Sequence, residues 1–402
     1  MRICYLADGR YIHTYRWLRY FHERGHEVFL LSFAPMQPHH FAAVEEAGGK
    51  YRGQLGPSFH LKRFWYTAAD LLRLRRVLRR ERIDILHCLF LGVNAWYGAL
   101  SRFHPLVITV TGGDIMGPDW QPPPDIRERR LMPFALRQAD LITCWSKNLT
   151  RVVRRYCRPE ISVEVIHGGL DLRRFTPGPK PEYLQKRWNI PAGARVVLSP
   201  RLMRPLYNLD KIASAAAAVC AMFPTTYFLF AFSSEPKDES YEAKVHAIAN
   251  SSPVADRIRF IGAVPHDEMA DLYRLADVTV SIASTDGTPM SVLESMACQT
   301  PVVVSDIPDY DSDYIEGDKT VLVVNPTHAD SVAAATCRLL QDANLAARLT
   351  MEARRRVNET ASYEAQMSRM ENLYSTLFTR RRTVPLELDE GKQIPNAASQ
   401  ND

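Results

Sequence analysis

Residues 277–306, DVTVSIASTDGTPMSVLESMACQTPVVVSD, leave few folds open. Val278, Val280 and Ile282 form a short β-branched run, and Ser284–Thr288 is a polar turn cluster. Pro289 suits the first position of a helix with Thr288 as its N-cap. Val292, Leu293, Met296 and Ala297 then recur at helical spacing, and Pro301–Val304 opens a second buried strand. Strand, loop, helix and strand in this order make a βαβ unit, which requires a parallel sheet covered by helices.

The loop opens onto a helix N-terminus, where the N–H groups of Met290, Ser291 and Val292 lack partners and the helix dipole is positive. A phosphate or diphosphate fits there. Gly287 and Thr288 belong to the same loop. Two carboxylates flank the spot: Asp286 in the loop and Glu294 one turn into the helix. Glu294 leans back toward the terminus and is suited to gripping hydroxyls such as a ribose diol. The competing reading makes Asp286 a helix cap and Glu294 a solvated helical charge.

The remaining chain repeats the alternation. Strand candidates in the first half are Ile3–Ala7, Val28–Ser32, Ile83–Cys88, Leu106–Thr111, Leu141–Cys144 and Val163–Ile166. In the second half they are Arg195–Leu198, Thr226–Ala231, Ile258–Ile261, Val278–Ile282, Pro301–Ser305 and Thr320–Val324. Strands alternating with helical patterns predict an α/β fold of two doubly wound Rossmann-like domains, with ligands at the carboxyl ends of the strands. At such ends lie Gly9, Arg10 and His13 after the first strand, Asp114 in Thr111-Gly112-Gly113-Asp114, and Arg201. His13 either projects into a cleft or packs beneath its loop; Asp114 either serves the site or caps a turn. The expected boundaries are 1–178, 179–362, a last helix over 363–379 and a disordered tail over 380–402, with Pro177–Ala192 as the linker.

Composition narrows the function classes. The 402 residues are 46% hydrophobic and 24% charged, ordinary for a globular chain, and no apolar run is long enough to span a bilayer. Asp8 interrupts the apolar N-terminus, which therefore reads as a strand and not a signal peptide. Seven scattered cysteines without a CxxC pair point to reduced thiols and a cytoplasmic location, and no metal constellation is visible among them or the 12 histidines. Residues 1–180 carry 28 Lys and Arg against 16 Asp and Glu, whereas residues 181–402 carry 22 against 29. A basic half suits an anionic acceptor or membrane surface. Leu61–Arg82 is a basic amphipathic helix candidate for peripheral attachment at the inner face of a membrane, or a core-facing stripe with a solvated basic back. No pattern points to nucleic acid. A dinucleotide-dependent oxidoreductase is disfavoured, because no G-x-G-x-x-G follows the first strand.

The stretch Asp286–Glu294, followed by Ser295-Met296-Ala297-Cys298-Gln299-Thr300-Pro301-Val302-Val303, resembles the acid-x7-Glu signature of the family 4 glycosyltransferases. Asp stands where that family usually has Glu, and Gln299 where it has Gly. The resemblance extends over about residues 1–378, including Ala139-Asp140 with Ser146, Val165–Asp171, and Phe260–Val264. It implies the GT-B fold: two Rossmann-like domains facing a cleft, an acceptor-side N-terminal one and a nucleotide-sugar-binding C-terminal one, with a terminal helix crossing back. It also implies a retaining hexosyltransferase that needs no metal or other cofactor and uses a UDP- or GDP-sugar and a glycan, lipid-linked or small-molecule acceptor, in polysaccharide or glycolipid biosynthesis. Asp286, Arg201, Asp114 and His13 are then the catalytic candidates. Glu294, Gly287, Thr288, Met290, Ser291, Gly9, Arg10, Arg204 and the backbone near Val264 are the donor-binding ones. The family has a Lys five residues after the Arg; here it is Leu206, with Arg204 or Lys211 as substitutes, and Thr111 takes the place of a family His. These departures motivate two alternatives: a catalytically impaired nucleotide-sugar-binding or scaffold protein, and a same-fold epimerase or phosphorylase.

Overall fold

The computed structural model describes residues 1–56, 64–112, 114–115, 126–232, 238–286, 288–307, 310 and 312–383. Gly287, the Asp119–Pro124 loop, the start of the basic helix candidate and the tail beyond residue 383 lie outside them.

The first domain is a seven-stranded parallel sheet of order β3-β2-β1-β4-β5-β6-β7. Its strands are β1 (Arg2–Leu6), β2 (Glu27–Ser32), β3 (Gly49–Gln54), β4 (Ile85–Leu89), β5 (Leu106–Val110), β6 (Leu141–Cys144) and β7 (Ser162–Val165). Helices α1 (Ile12–Glu23), α2 (Pro38–Glu46), α3 (Phe64–Arg80), α4 (Val93–Ser101), α5 (Ile126–Gln138) and α6 (Lys147–Arg154) connect them. Parallel strands are covered on both faces, which is why they read as continuous apolar runs. One face packs Leu6, Phe29, Leu86 and Ile108 against α3–α5, and the other packs Tyr5, Leu30 and Val107 against α1. Edge strand β3 was not expected. Its sequence, GKYRGQ, has no apolar run because an edge buries little, and its Lys50 and Arg52 pair with Glu27 and Glu81.

After helix α7 (Glu182–Arg187), the second domain builds a six-stranded parallel sheet of order β10-β9-β8-β11-β12-β13. Its strands are β8 (Arg195–Ser199), β9 (Thr226–Ala231), β10 (Ile258–Gly262), β11 (Val278–Ser281), β12 (Val302–Ser305) and β13 (Leu322–Val324). Its helices are α8 (Leu209–Met222), α9 (Glu239–Ser251), α10 (Met269–Leu275), α11 (Met290–Ala297), α12 (Ala329–Gln341) and α13 (Ala343–Thr360). The expected linker is in part a packed element: Leu184 and Ile190 are buried in the second core.

The last helix, α14 (Tyr363–Thr383), returns to the first domain as expected but runs past residue 379, so Arg380–Thr383 are helical. Met367, Met370 and Tyr374 are fully buried beside Tyr5, Trp17 and Phe21, worth about 1.5–3 kcal/mol per apolar side chain. Buried His87 joins the Tyr374 hydroxyl to Thr109 Oγ1, the latter at 2.6 Å. The two crossings between domains lie side by side. Leu170 N donates to Ala361 O at 2.8 Å, and Tyr363 N donates to Leu170 O at 2.9 Å. Across the same junction, His167 Nε2 and the Tyr314 hydroxyl are 2.6 Å apart.

On α3, Leu74 and Leu78 are buried whereas Leu72 is 61% exposed. No helix among the described residues is long and apolar enough to cross a membrane.

Candidate active site

In an open parallel sheet the ligand crevice lies where the strand order reverses. In the second domain that point falls between β8 and β11. The loops leaving these strands carry Arg201 and Asp286. Arg201 Nη2 lies 2.6 Å from Asp286 Oδ2, its Nη1 donates to Ser291 Oγ at 3.1 Å, and its guanidinium sits 4.1 Å from the Tyr207 ring centroid. The Arg201 side chain is only 10% exposed. Burial alone would weaken its charge, but the Asp286 carboxylate outweighs it and raises its pKa further above the ordinary arginine value. Tyr310 stands beside the pair, its hydroxyl 3.1 Å from Ser305 Oγ.

Helix α11 points its start at this cation. The Val292 and Leu293 N–H groups both reach Pro289 O, at 3.0 and 3.2 Å, leaving Met290 and Ser291 N–H without partners among the described residues. The helix begins one residue later than expected: Pro289 is the N-cap, in extended conformation, and no side chain caps it. Thr288 is therefore not the cap, and its Oγ1 is buried with no hydrogen-bond partner among the described residues. A buried hydroxyl left open at this point is a ready contact for a ligand.

Glu294 is not a solvated charge. It is half-buried, accepts a hydrogen bond from the Tyr273 hydroxyl at 2.8 Å, and is pushed up to about 7 by burial, opposed by Tyr273 and by Arg16. Arg16 comes from α1 of the first domain, donates to Gly169 O at 2.9 Å and stacks over the Tyr363 ring at 4.3 Å. One turn earlier, His13 meets Trp145 edge-on at 5.0 Å between ring centroids. Burial, then Arg16 and His266, push His13 down to about 4, so its imidazole is neutral at pH 7. Trp145 Nε1 is a buried donor without a partner among the described residues. His13 and Arg16 of one domain thus face His266 and Glu294 of the other.

Three expectations are corrected. Asp114 accepts from Leu91 N (2.8 Å), Thr111 N (3.0 Å) and Gly112 N (2.8 Å), so both oxygens hold loop backbone and neither is disposed as a base. Gly9 spends its N–H on Ser32 Oγ and its carbonyl on the Tyr15 hydroxyl, and Met36 packs over it, so it has no group left for a phosphate. Lys211 pairs with Asp210 and does not replace the charge missing at Leu206, whose carbonyl instead accepts Ser284 N at 2.8 Å. Arg10 forks onto Asp8 at the rim of the first sheet. Arg204 is half-buried in the loop after β8, and Val264 packs at the edge of the second core. Sequence patterns give no role to Tyr310, Trp145, Arg16 or His266, and place Tyr273 only within the stretch that resembles the family's base-binding region. Tyr273, Trp145, Arg16 and His266 each meet a partner distant in sequence, whereas Tyr310 bonds to nearby Ser305. For Trp145, Tyr310 and His266 the one legible signal was an aromatic or polar residue close to a strand or helix end. No group of side chains able to hold a metal occurs among the described residues.

The site can therefore grip an anion with one guanidinium and two helix N–H groups while a carboxylate holds hydroxyls beside it. Residues 182–356 match the family described as Glycosyl transferases group 1, and residues 9–174 match Glycosyltransferase Family 4. The chain is 28% identical over 333 residues to a D-inositol 3-phosphate glycosyltransferase of Thermobispora bispora, covering 79% of this chain and 76% of that one. It is 22% identical to the N-acetyl-alpha-D-glucosaminyl L-malate synthase of Bacillus anthracis, over 77% of this chain and 80% of that one. Among solved structures, sucrose-phosphate synthase from Thermosynechococcus elongatus superposes with a TM-score of 0.76 at 19% identity, covering 94% of this chain and 100% of that one. Anabaena HepE, solved with UDP-glucose, does so with a TM-score of 0.76 at 16% identity and the same coverage. Two family matches that together run from residue 9 to residue 356, on two doubly wound domains bridged by a returning helix, make this chain a family 4 glycosyltransferase of GT-B fold.

Proposed function

We propose that this glycosyltransferase moves a hexose-type sugar from a nucleotide-diphosphate sugar to a hydroxyl of a glycan, lipid-linked or small-molecule acceptor, with retention of anomeric configuration and without a metal. One observation carries the reading: Arg201, the Ser291 hydroxyl and the open N–H groups of α11 converge one turn from Glu294. That spacing matches a diphosphate followed by a ribose diol. As the bond from the anomeric carbon to the phosphate oxygen breaks, negative charge develops where Arg201 and the helix terminus can stabilise it. The acceptor oxygen bonds to the same carbon on the same face, and its proton passes to the departing phosphate. Neutral His13 serves as a hydrogen-bonding partner for the sugar rather than as a cation. The UDP-glucose bound to HepE favours a UDP-hexose donor, and the names of the curated relatives favour a small polyol or hydroxy-acid acceptor.

A second reading, binding without turnover, is favoured by the uncharged Leu206 and by Asp286 being drawn onto Arg201. A thermal-shift screen against UDP, GDP, ADP and their sugar conjugates separates the readings. A shift with one nucleotide family, followed by a glycoside with the donor's anomeric configuration, supports transfer. A shift without any product supports the binding protein. Free epimer or sugar phosphate as product supports an epimerase or phosphorylase. We further infer peripheral attachment to an anionic membrane surface on the cytoplasmic side through α3. Its Arg76, Arg79 and Arg80 have no ion pair among the described residues, and Leu72 beside them is exposed. Co-sedimentation with phosphatidylglycerol vesicles that vanishes in high salt is expected; equal sedimentation with phosphatidylcholine vesicles would refute it.

A further inference from the structure

The first domain has its own crevice at a reversal of strand order, between β1 and β4. Its rim carries two rings that face each other. Tyr11, in the loop after β1, is 50% exposed, and Ile12 next to it is 48% exposed. Tyr11 is the N-cap residue of α1, a position where Ser, Thr, Asp or Asn would satisfy the free N–H groups, and it makes no capping hydrogen bond. Phe90, in the loop after β4, faces it with ring centroids 5.9 Å apart.

Phe90 is held in an unfavourable backbone conformation, with φ at +71°. A bulky side chain rarely sits there, and such strain persists only where neighbours impose it. Here they do. Asn94 Nδ2 donates to Leu89 O at 2.7 Å on one side, and Leu91 N donates to Asp114 Oδ2 at 2.8 Å on the other. The same carboxylate ties down Thr111 and Gly112. A glycine at 90 would relieve the strain, so the ring is what the arrangement retains.

We infer that Tyr11 and Phe90 form a stacking platform for the acceptor, and that this selects acceptors whose hydroxyl is carried on a ring with an apolar C–H or aryl face. Asp114 is a positioning residue that acts through Phe90. The inference rests on the glycosyltransferase reading above, because only then does the crevice facing the donor site have a second substrate to hold.

The probe is phenyl β-D-glucopyranoside, followed by saturation-transfer NMR on the full chain, alongside the nucleotide thermal shift. Wild type is expected to saturate the phenyl and sugar C–H protons. Tyr11→Ala, at an exposed site, and Phe90→Gly, which relaxes the backbone, are each expected to cut that saturation at least fivefold while leaving the nucleotide response intact. Equal saturation in wild type and both variants, or none in wild type, overturns the platform. Loss of the nucleotide response in both variants also overturns it, because the residues would then serve the donor or the fold. Absence of any nucleotide response in wild type, with saturation present, overturns the donor reading and leaves the ring-binding crevice standing.

Discussion

The Tyr273 hydroxyl donates to Oε2 of Glu294 at 2.8 Å, and the other oxygen of that carboxylate has no partner among the described residues. Burial pushes Glu294 up to about 7, with Tyr273 and Arg16 pulling the other way. A ribose diol donates hydrogen bonds, so it binds the ionised form. Nucleotide affinity is therefore expected to rise about tenfold between pH 6 and pH 8, with a proton released on binding. In the free protein the sign is opposite. A carboxyl whose folded pKa is raised contributes stability below its unfolded value, and this is lost as pH climbs through about 7. Calorimetry in buffers of different ionisation enthalpy reads the proton, and Glu294→Gln should abolish the pH dependence while weakening binding roughly ten- to hundredfold. Affinity that stays flat from pH 6 to pH 8 in wild type would remove Glu294 from the ribose.

Arg201→Ala tests the anion site. Loss of one preorganised charge at a leaving group costs about 10²–10³ in turnover. Binding of a nucleoside without phosphates should be unchanged, since the bonds and ring contact of Arg201 go to Asp286, Ser291 and Tyr207 at the anion site. The variant also removes the ion pair between Arg201 and Asp286, so a fall in melting temperature is expected alongside. Asp286→Asn provides the comparison: it leaves Arg201 charged but less fixed, and a smaller loss in turnover is expected. Equal losses of nucleoside binding and turnover in Arg201→Ala would argue against the diphosphate role.

The βαβ unit at β11-α11-β12 was legible because its signals are local: a β-branched run, a turn cluster, a helical stripe and a second run within thirty or so residues. The place of Glu294 on α11 was legible for the same reason. The edge strand β3 was not, since an edge position demands no apolar pattern. For Asp114 the turn-holding alternative was legible from its Gly-Gly-Asp setting, but its reach to Leu91 N in the loop after β4 was not, because a backbone N–H carries no side-chain signature. Tyr273 meets Glu294, and His87 meets Tyr374, only after the sheets are wound. The helix start at α11 shifted by one residue because Pro289 fits either side of that boundary.

His87 gives a stability prediction. Burial pushes it down to about 3, and its ring is spent on Tyr374 and Thr109. The unfolded chain takes up the proton near pH 6.5 and the folded one does not. The contribution is thus full above that value and falls away as pH drops, by about 2 kcal/mol between pH 7 and pH 5. His13 and His167, both pushed down to about 4 by burial, add slopes of the same sign. Urea unfolding of His87→Gln should show about one proton less in the pH dependence over that range. An unaltered slope would mean that His87 is solvated or charged in the folded protein.

Gly169 lies where the chain passes from one domain to the other. Its φ is +64°, and a Cβ there would stand 2.5 Å from Tyr363 Cα, the first residue of α14. Both the backbone conformation and the approach require glycine. The neighbouring Leu170 is bonded to Ala361 and Tyr363, and the Gly169 carbonyl accepts Arg16, so a displaced crossing would reach the cleft through α1. Gly169→Ala is expected to cost about 1–3 kcal/mol of stability and to disturb nucleotide binding through Arg16, which faces Glu294. Gly193, also at positive φ but with nothing within 4 Å of where a Cβ would stand, supplies the control. Its alanine variant carries the conformational penalty without the collision and should leave binding unchanged. If the two variants lower the unfolding midpoint equally and neither affects binding, the contact with Tyr363 does not set the relation between the domains.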